Sequence, residues 1–225
     1  MSTTFRPDGD ITLNKSINQL GILVLDGSGS MEAPAPGNVT IAKAVEGSLI
    51  EMFNRFNVSK KKQNFSFACI KFDNTVSVTL EPVEFDLNTL MNTNFDPREG
   101  RQIDGGTFTN LALEQAKEMA EKFLQNPPEP GIPHRVLILL LSDGQSHEPQ
   151  KTLEISKEIK NNLDIEIACA YFGTVGNNDP DAQTLLKEVA SNATKFTTVY
   201  DGEALRNFFV ASLSASAGMS KSDIA

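Results

Sequence analysis

Two stretches constrain the fold of this chain more than any others. "LGILVLD" (Leu20 to Asp26) and "VLILLLSDG" (Val136 to Gly144) are apolar on consecutive positions. That is how a strand reads when helices cover both of its faces. "FSFACIKF" (Phe65 to Phe72) and "IEIACAYF" (Ile165 to Phe172) are similar, and "KFTTVY" (Lys195 to Tyr200) completes the parallel set. "VSVTL" (Val76 to Leu80) behaves differently, alternating apolar and polar residues, and only "DNT" separates it from Phe72. So short a turn predicts an antiparallel hairpin with the alternating strand at the sheet edge.

Segments of helical spacing lie between the strands. "NVTIAKAVEGSLIEMFNRF" places Ala42, Val45, Leu49, Met52, Phe53 and Phe56 on one face by steps of three and four. A second helix follows "GGTFTN" (Gly105 to Asn110), with Ala112, Ala116, Met119, Ala120 and Phe123 inward, and "NPPEPGIP" breaks it. Further helices are expected over 150–162 and 181–191, and a last one carries Leu205, Phe208, Phe209 and Leu213. A loop with Pro34, Pro36 and Gly37 follows the first strand, and residues 81–104 read as irregular, with one helical turn around Leu87 to Met91. Strands alternating with helices predict an α/β fold: a doubly wound, mostly parallel central sheet with one antiparallel edge strand and helices on both faces.

The 225 residues suit one such domain over 18–215, with an N-terminal segment at 1–17 and a tail at 216–225. The net charge of -9 argues against nucleic acid as a partner, because phosphate binding needs clustered Lys and Arg. The one basic run, Lys60 to Lys62, reads as a solvated turn between a helix and a strand. No stretch approaches the roughly 18 apolar residues of a membrane span, and the first residues lack the charged-then-apolar pattern of a signal peptide. Cys69 and Cys169 each fall inside an apolar strand and read as small core residues of a reducing compartment. A cytoplasmic location is the expectation.

In an open α/β sheet, ligands gather beyond the carboxyl ends of the strands, where the strand order reverses. Three loops bring oxygen donors to that end. The first holds Asp26, Ser28 and Ser30, spaced two apart with Gly27 and Gly29 between. The second holds Thr107 after two glycines, and the third holds Asp143, directly after the longest apolar run. Two carboxylates and three hydroxyls are hard donors. They suit Mg²⁺ or Mn²⁺ and disfavour zinc.

Asp26-Gly27-Ser28-Gly29-Ser30 resembles the D-x-S-x-S motif of von Willebrand factor A domains. Thr107 in "GGT" and Asp143 in "LSDG" resemble, in type and chain order, the later Thr and Asp that complete that family's metal-ion-dependent adhesion site. The order of strands and helices is similar over about residues 18–215. The ending "YDGEALRNFFVASLSAS" is similar to bacterial stand-alone members of the TerY type. The resemblance implies that Asp26, Ser28, Ser30, Thr107 and Asp143 hold the metal directly or through water. It implies an open coordination position taken by a Glu or Asp of a partner protein, and no catalysis. The TerY-type similarity implies a stress-response assembly beside a separately encoded kinase or phosphatase. Glu32, close to the first loop, would shape access or occupy the open position, and Phe108, beside Thr107, would be a contact residue for the partner.

Other readings are open at this point. A strand ending in Asp also begins Mg²⁺-dependent phosphatases of the haloacid-dehalogenase type, but their second Asp, the general acid, is Ser28 here. No G-x-S-x-G elbow, phosphate-binding G-x-x-x-x-G-K-[ST] or G-x-G-x-x-G appears. A metal-independent scaffold binding through its last helix is the third alternative. His147, four residues after Asp143, reads as a solvent-exposed loop residue, and His134 as a strand-entry residue. "GNNDPD" (Gly176 to Asp181) lacks EF-hand spacing and reads as a turn and helix cap.

Overall fold

The computed structural model describes residues 15–101, 105–174 and 178–219. Most of the N-terminal segment (1–14), the end of the tail (220–225) and two residues of "GNNDPD" (Gly176 and Asn177) lie outside them. β1 (Asn18–Asp26) is buried at every position, as its unbroken apolar run requires. The loop after it is more ordered than its prolines suggest. A 3-10 turn at Gly29–Glu32 leads into two short antiparallel strands, β2 (Pro34–Ala35) and β3 (Val39–Thr40). Gly37 (φ 91°) and Asn38 (φ 57°) turn the chain between them in the left-handed region.

Thr40 caps α1 (Ile41–Val58) by accepting the Lys43 N–H, and the predicted apolar face of that helix is buried. β4 (Phe65–Phe72) and β5 (Val76–Glu84) form the hairpin. β5 runs four residues past the alternating stretch, into the region read as irregular. Register shifts opposite Phe67 to Ile70 let the pairing resume, and Pro82 is tolerated because the strand is at the edge. α2 (Leu87–Met91), α3 (Thr109–Gln125), β6 (His134–Ser142), α4 (Pro149–Lys160), β7 (Ile165–Phe172), α5 (Pro180–Val189), β8 (Phe196–Val199) and α6 (Gly202–Ser216) follow in the expected order. Asp179 caps α5 through the Asp181 and Ala182 N–H groups, as read from "GNNDPD".

The sheet order is β5-β4-β1-β6-β7-β8, parallel throughout except for β5. Alternate residues of β1 feed two cores. Leu23 and Leu25 join α1 and α6 on one face, while Leu20, Ile22 and Val24 join α3 and α5 on the other. Each fully buried leucine or isoleucine contributes roughly 1.5–3 kcal/mol. On the first face Phe53 meets Phe67 edge-on at 5.1 Å, and Phe56 meets Phe65 at 5.0 Å. Both cysteines are buried and free. No described helix is long and apolar enough to cross a membrane. The chain leaves β1 toward β4 on one side and later enters β6 on the other. The switch point therefore lies between the carboxyl ends of β1 and β6, where Asp26 and Asp143 stand.

Candidate functional site

β1 delivers Asp26 fully buried to the end of the sheet. One carboxylate oxygen accepts the Ser28 N–H at 2.8 Å, and the other accepts the Ser142 hydroxyl at 2.5 Å. Ser28 Oγ and Ser30 Oγ are 3.0 Å apart, and Ser30 Oγ donates to Asp143 Oδ1 at 2.7 Å. Four of the five predicted donors thus form one hydrogen-bonded chain across the switch point. Thr107, also buried, lies in a segment tied to both neighbours. The Gly105 carbonyl accepts the Gly29 N–H at 3.0 Å, and the Thr107 carbonyl accepts the His147 N–H at 2.8 Å.

The electrostatics are unfavourable without a cation. Burial pushes the Asp26 carboxyl above its ordinary range, against the Ser142 and Ser28 hydrogen bonds. Burial, then the charge of Asp26, push Asp143 up to about 7. Among the described residues no Lys or Arg pairs with either. Taking a charge out of water costs several kcal/mol unless it is compensated. Asp143 Oδ2 is moreover buried without a hydrogen-bond partner, which is rare for so strong an acceptor. A divalent cation would answer both deficits, so the donor set fits one. No described cluster of three or more His, Cys, Asp or Glu is placed to hold a metal, so the fit rests on two carboxylates with hydroxyls.

A second layer holds these loops, and Asp73, Arg98 and Arg101 in it were missed in the sequence. Arg101, nearly buried, donates to Asp73 at 3.0 Å. Burial pushes Asp73 up, but two bonds from Thr75 and the Arg101 guanidinium outweigh it and leave it below the usual carboxylate range. Arg98 donates to the Gly27 carbonyl at 2.7 Å and to Glu32 at 3.0 Å. Glu32 is therefore engaged by Arg98, and its side chain is 57% exposed. Phe108 is half-buried and stacks on His147, with centroids 4.9 Å apart and planes at 14°. His147 is exposed, as expected, yet both its ring and its backbone are bonded to Thr107. Further sequence signals near the site were the polar Ser142 ending an apolar run and the closeness of His147 to Asp143.

Comparison with known proteins follows the same lines. The chain superposes on the pilus adhesin SpaC of Lactobacillus rhamnosus GG with a TM-score of 0.70 at 12% identity, covering 91% of this chain and 31% of SpaC. It therefore spans about a third of that adhesin. The von Willebrand factor domain of the type V pili tip protein Mfa5 from Porphyromonas gingivalis gives 0.66 at 12% identity, covering 91% of this chain and 97% of that domain. Proximal thread matrix protein 1 from the mussel byssus, solved with a zinc-occupied adhesion-site motif, gives 0.62 at 17% identity, covering 89% and 46%. At these identities the likeness concerns the fold. A search of curated proteins returns no match. The family model for the von Willebrand factor type A domain matches residues 22–211, most of the chain. By that match this protein belongs to the von Willebrand factor type A domain family.

Proposed function

We propose that this domain is a divalent-cation-dependent protein-binding module in which Asp26, Ser28, Ser30, Thr107 and Asp143 hold Mg²⁺ or Mn²⁺ and a partner protein supplies a Glu or Asp. The family is a metal-dependent adhesion and protein-interaction fold. The observation that carries the reading for this chain is the unpartnered, buried Asp143 Oδ2 beside buried Asp26. When bound, the cation supplies the local positive charge that attracts a carboxylate to an otherwise acidic protein. Asp26 is oriented by Ser142 and Ser28. Ser28 and Ser30 present neutral hydroxyls, so the protein's own groups leave a divalent charge balanced by two carboxylates at most. That favours an incoming acidic side chain through a charge-assisted contact.

Arg98 holds Glu32 at the rim, and Phe108 flanks the site. Both Glu32 and Phe108 are contact residues in this reading. Resemblance to TerY-type members supports work beside a separately encoded kinase or phosphatase, in a bacterial stress-response assembly. The two buried thiols support a reducing, cytoplasmic compartment. No catalytic step is assigned to the site.

Calorimetric titration with Mg²⁺ and Mn²⁺ tests the site directly. Wild type is expected to bind one ion, and Asp26→Ala none. A tagged-protein pulldown in Mg²⁺ is expected to retain a partner that EDTA or Asp26→Ala releases. Absence of metal binding, or retention indifferent to EDTA, would overturn the reading. Phosphate release from an aryl phosphate, abolished by Asp26→Asn, would replace it with the phosphatase alternative.

A further inference from the structure

The segment Gly105 to Phe108 is fastened residue by residue to different parts of the chain. The Gly106 N–H donates to the Asn74 side-chain oxygen at 2.8 Å, and the Phe108 N–H donates to the Asp73 carbonyl at 3.2 Å. Both anchors belong to the β4–β5 turn. Thr107, between them, is held at both backbone groups by one residue from another loop. Its carbonyl accepts the His147 N–H at 2.8 Å, and its own N–H donates to His147 Nδ1 at 3.1 Å. A backbone N–H only donates, so Nδ1 is the acceptor of this bond. The ring lies flat on Phe108. Gly106 leaves the space it needs: a Cβ there would sit 2.8 Å from His147 Cε1.

We propose that His147 is a positioning residue for the cation site, clamping Thr107 through Nδ1 and its own backbone N–H so that the Thr107 hydroxyl stays available to the metal. The proposal rests on the cation reading given above. His147 satisfies both backbone groups of Thr107, and no hydrogen bond engages the Thr107 hydroxyl among the described residues. His147 also lies four residues after Asp143. The segment that presents the Asp143 carboxylate is thus the one that fixes Thr107, and the second and third loops are coupled into one unit. Groups that orient metal ligands from outside the coordination sphere typically change metal affinity by about 10–100-fold when removed.

Two substitutions separate the clamp from the stack. His147→Phe keeps a ring on Phe108 and has no acceptor. His147→Asn sets Oδ1 near the place of Nδ1 and gives up most of the stack. Uptake of Mn²⁺ by the full chain, read from the loss of the free-ion paramagnetic resonance signal, should weaken about tenfold or more in His147→Phe and stay within about threefold in His147→Asn. Hydrogen exchange in the metal-free protein supplies an independent reading. The Thr107 amide should exchange faster in His147→Phe alone, with protection unchanged in β1 and β6 as the sign of an intact fold. Wild-type Mn²⁺ affinity in His147→Phe, or equal loss in both variants, would overturn the role of His147. If wild type itself takes up no Mn²⁺, the cation reading fails and this proposal fails with it, a result distinct from the variant-specific ones.

Discussion

Asp143 follows β6 with one carboxylate oxygen bonded to Ser30 and the other buried without a partner. Its carboxyl is pushed from the ordinary 3.8 to about 7 by burial first and by Asp26 second. A folded state that keeps a proton the unfolded chain has released is stabilised at the acid side of that window. Stability of the metal-free protein should therefore fall as pH rises from about 4 to about 7, and Asp26, raised in the same direction, adds to the fall. Asp143→Asn keeps the size of the side chain and removes its titration. Denaturant unfolding in EDTA should find the variant gaining on wild type between about pH 4 and pH 7. Parallel pH dependence in the two proteins would remove Asp143 as the source. Saturating Mg²⁺ should shrink the loss in wild type, because the cation compensates the ionised pair.

Among the elements, the segment that follows α2 does for the first loop what His147 does for the second. Pro97, Arg98 and Arg101 close over Gly27, where a Cβ would run into the Pro97 carbonyl oxygen and press on Arg101 Cγ. Gly27→Ala should cost roughly 1–3 kcal/mol through overpacking, seen as a lower denaturant midpoint with unchanged slope. It should also weaken Mg²⁺ binding, since the strain falls one residue from Asp26. An unchanged midpoint would mean that the 92–101 segment yields freely. The same contrast explains what could be read in advance. β1, β4, β6 and β7 were legible because burial on both faces leaves a continuous apolar run, and α1 and α3 because one buried face leaves a period near 3.6. The β2–β3 pair and the last residues of β5 were not, because their order comes from pairing partners and not from local pattern. Among the site residues, the five predicted donors were legible as oxygen-bearing side chains, four at or just after strand ends and Thr107 ahead of a helix. Ser142, Arg98, Arg101 and the clamp of His147 owe their roles to chain crossings that no local spacing encodes.

At the scale of the whole molecule, the predicted donors come from the ends of β1 and β6 and from just before α3, segments far apart in sequence that only the finished sheet order brings together. The unfolded chain, with net charge -9, holds carboxylates in abundance but no such constellation. A cation bound by the native state alone must then stabilise it by mass action, about 2.7 kcal/mol when free ion reaches 100 times Kd. For a domain of this size that corresponds to a rise in Tm of roughly 5–10 °C. The rise should grow with the logarithm of Mg²⁺ concentration above Kd and vanish in Asp26→Asn, whose diffuse charge is almost that of wild type. General screening of a chain this acidic would also raise Tm, but it would do so equally in both proteins and with NaCl of matched ionic strength. Scanning calorimetry of the two proteins in MgCl₂ and in NaCl separates the cases. A Tm that rises in wild type only, and in Mg²⁺ only, ties the three loops to one ion. An identical rise in all four conditions would assign the effect to the surface and leave the carboxylates at the switch point without a guest.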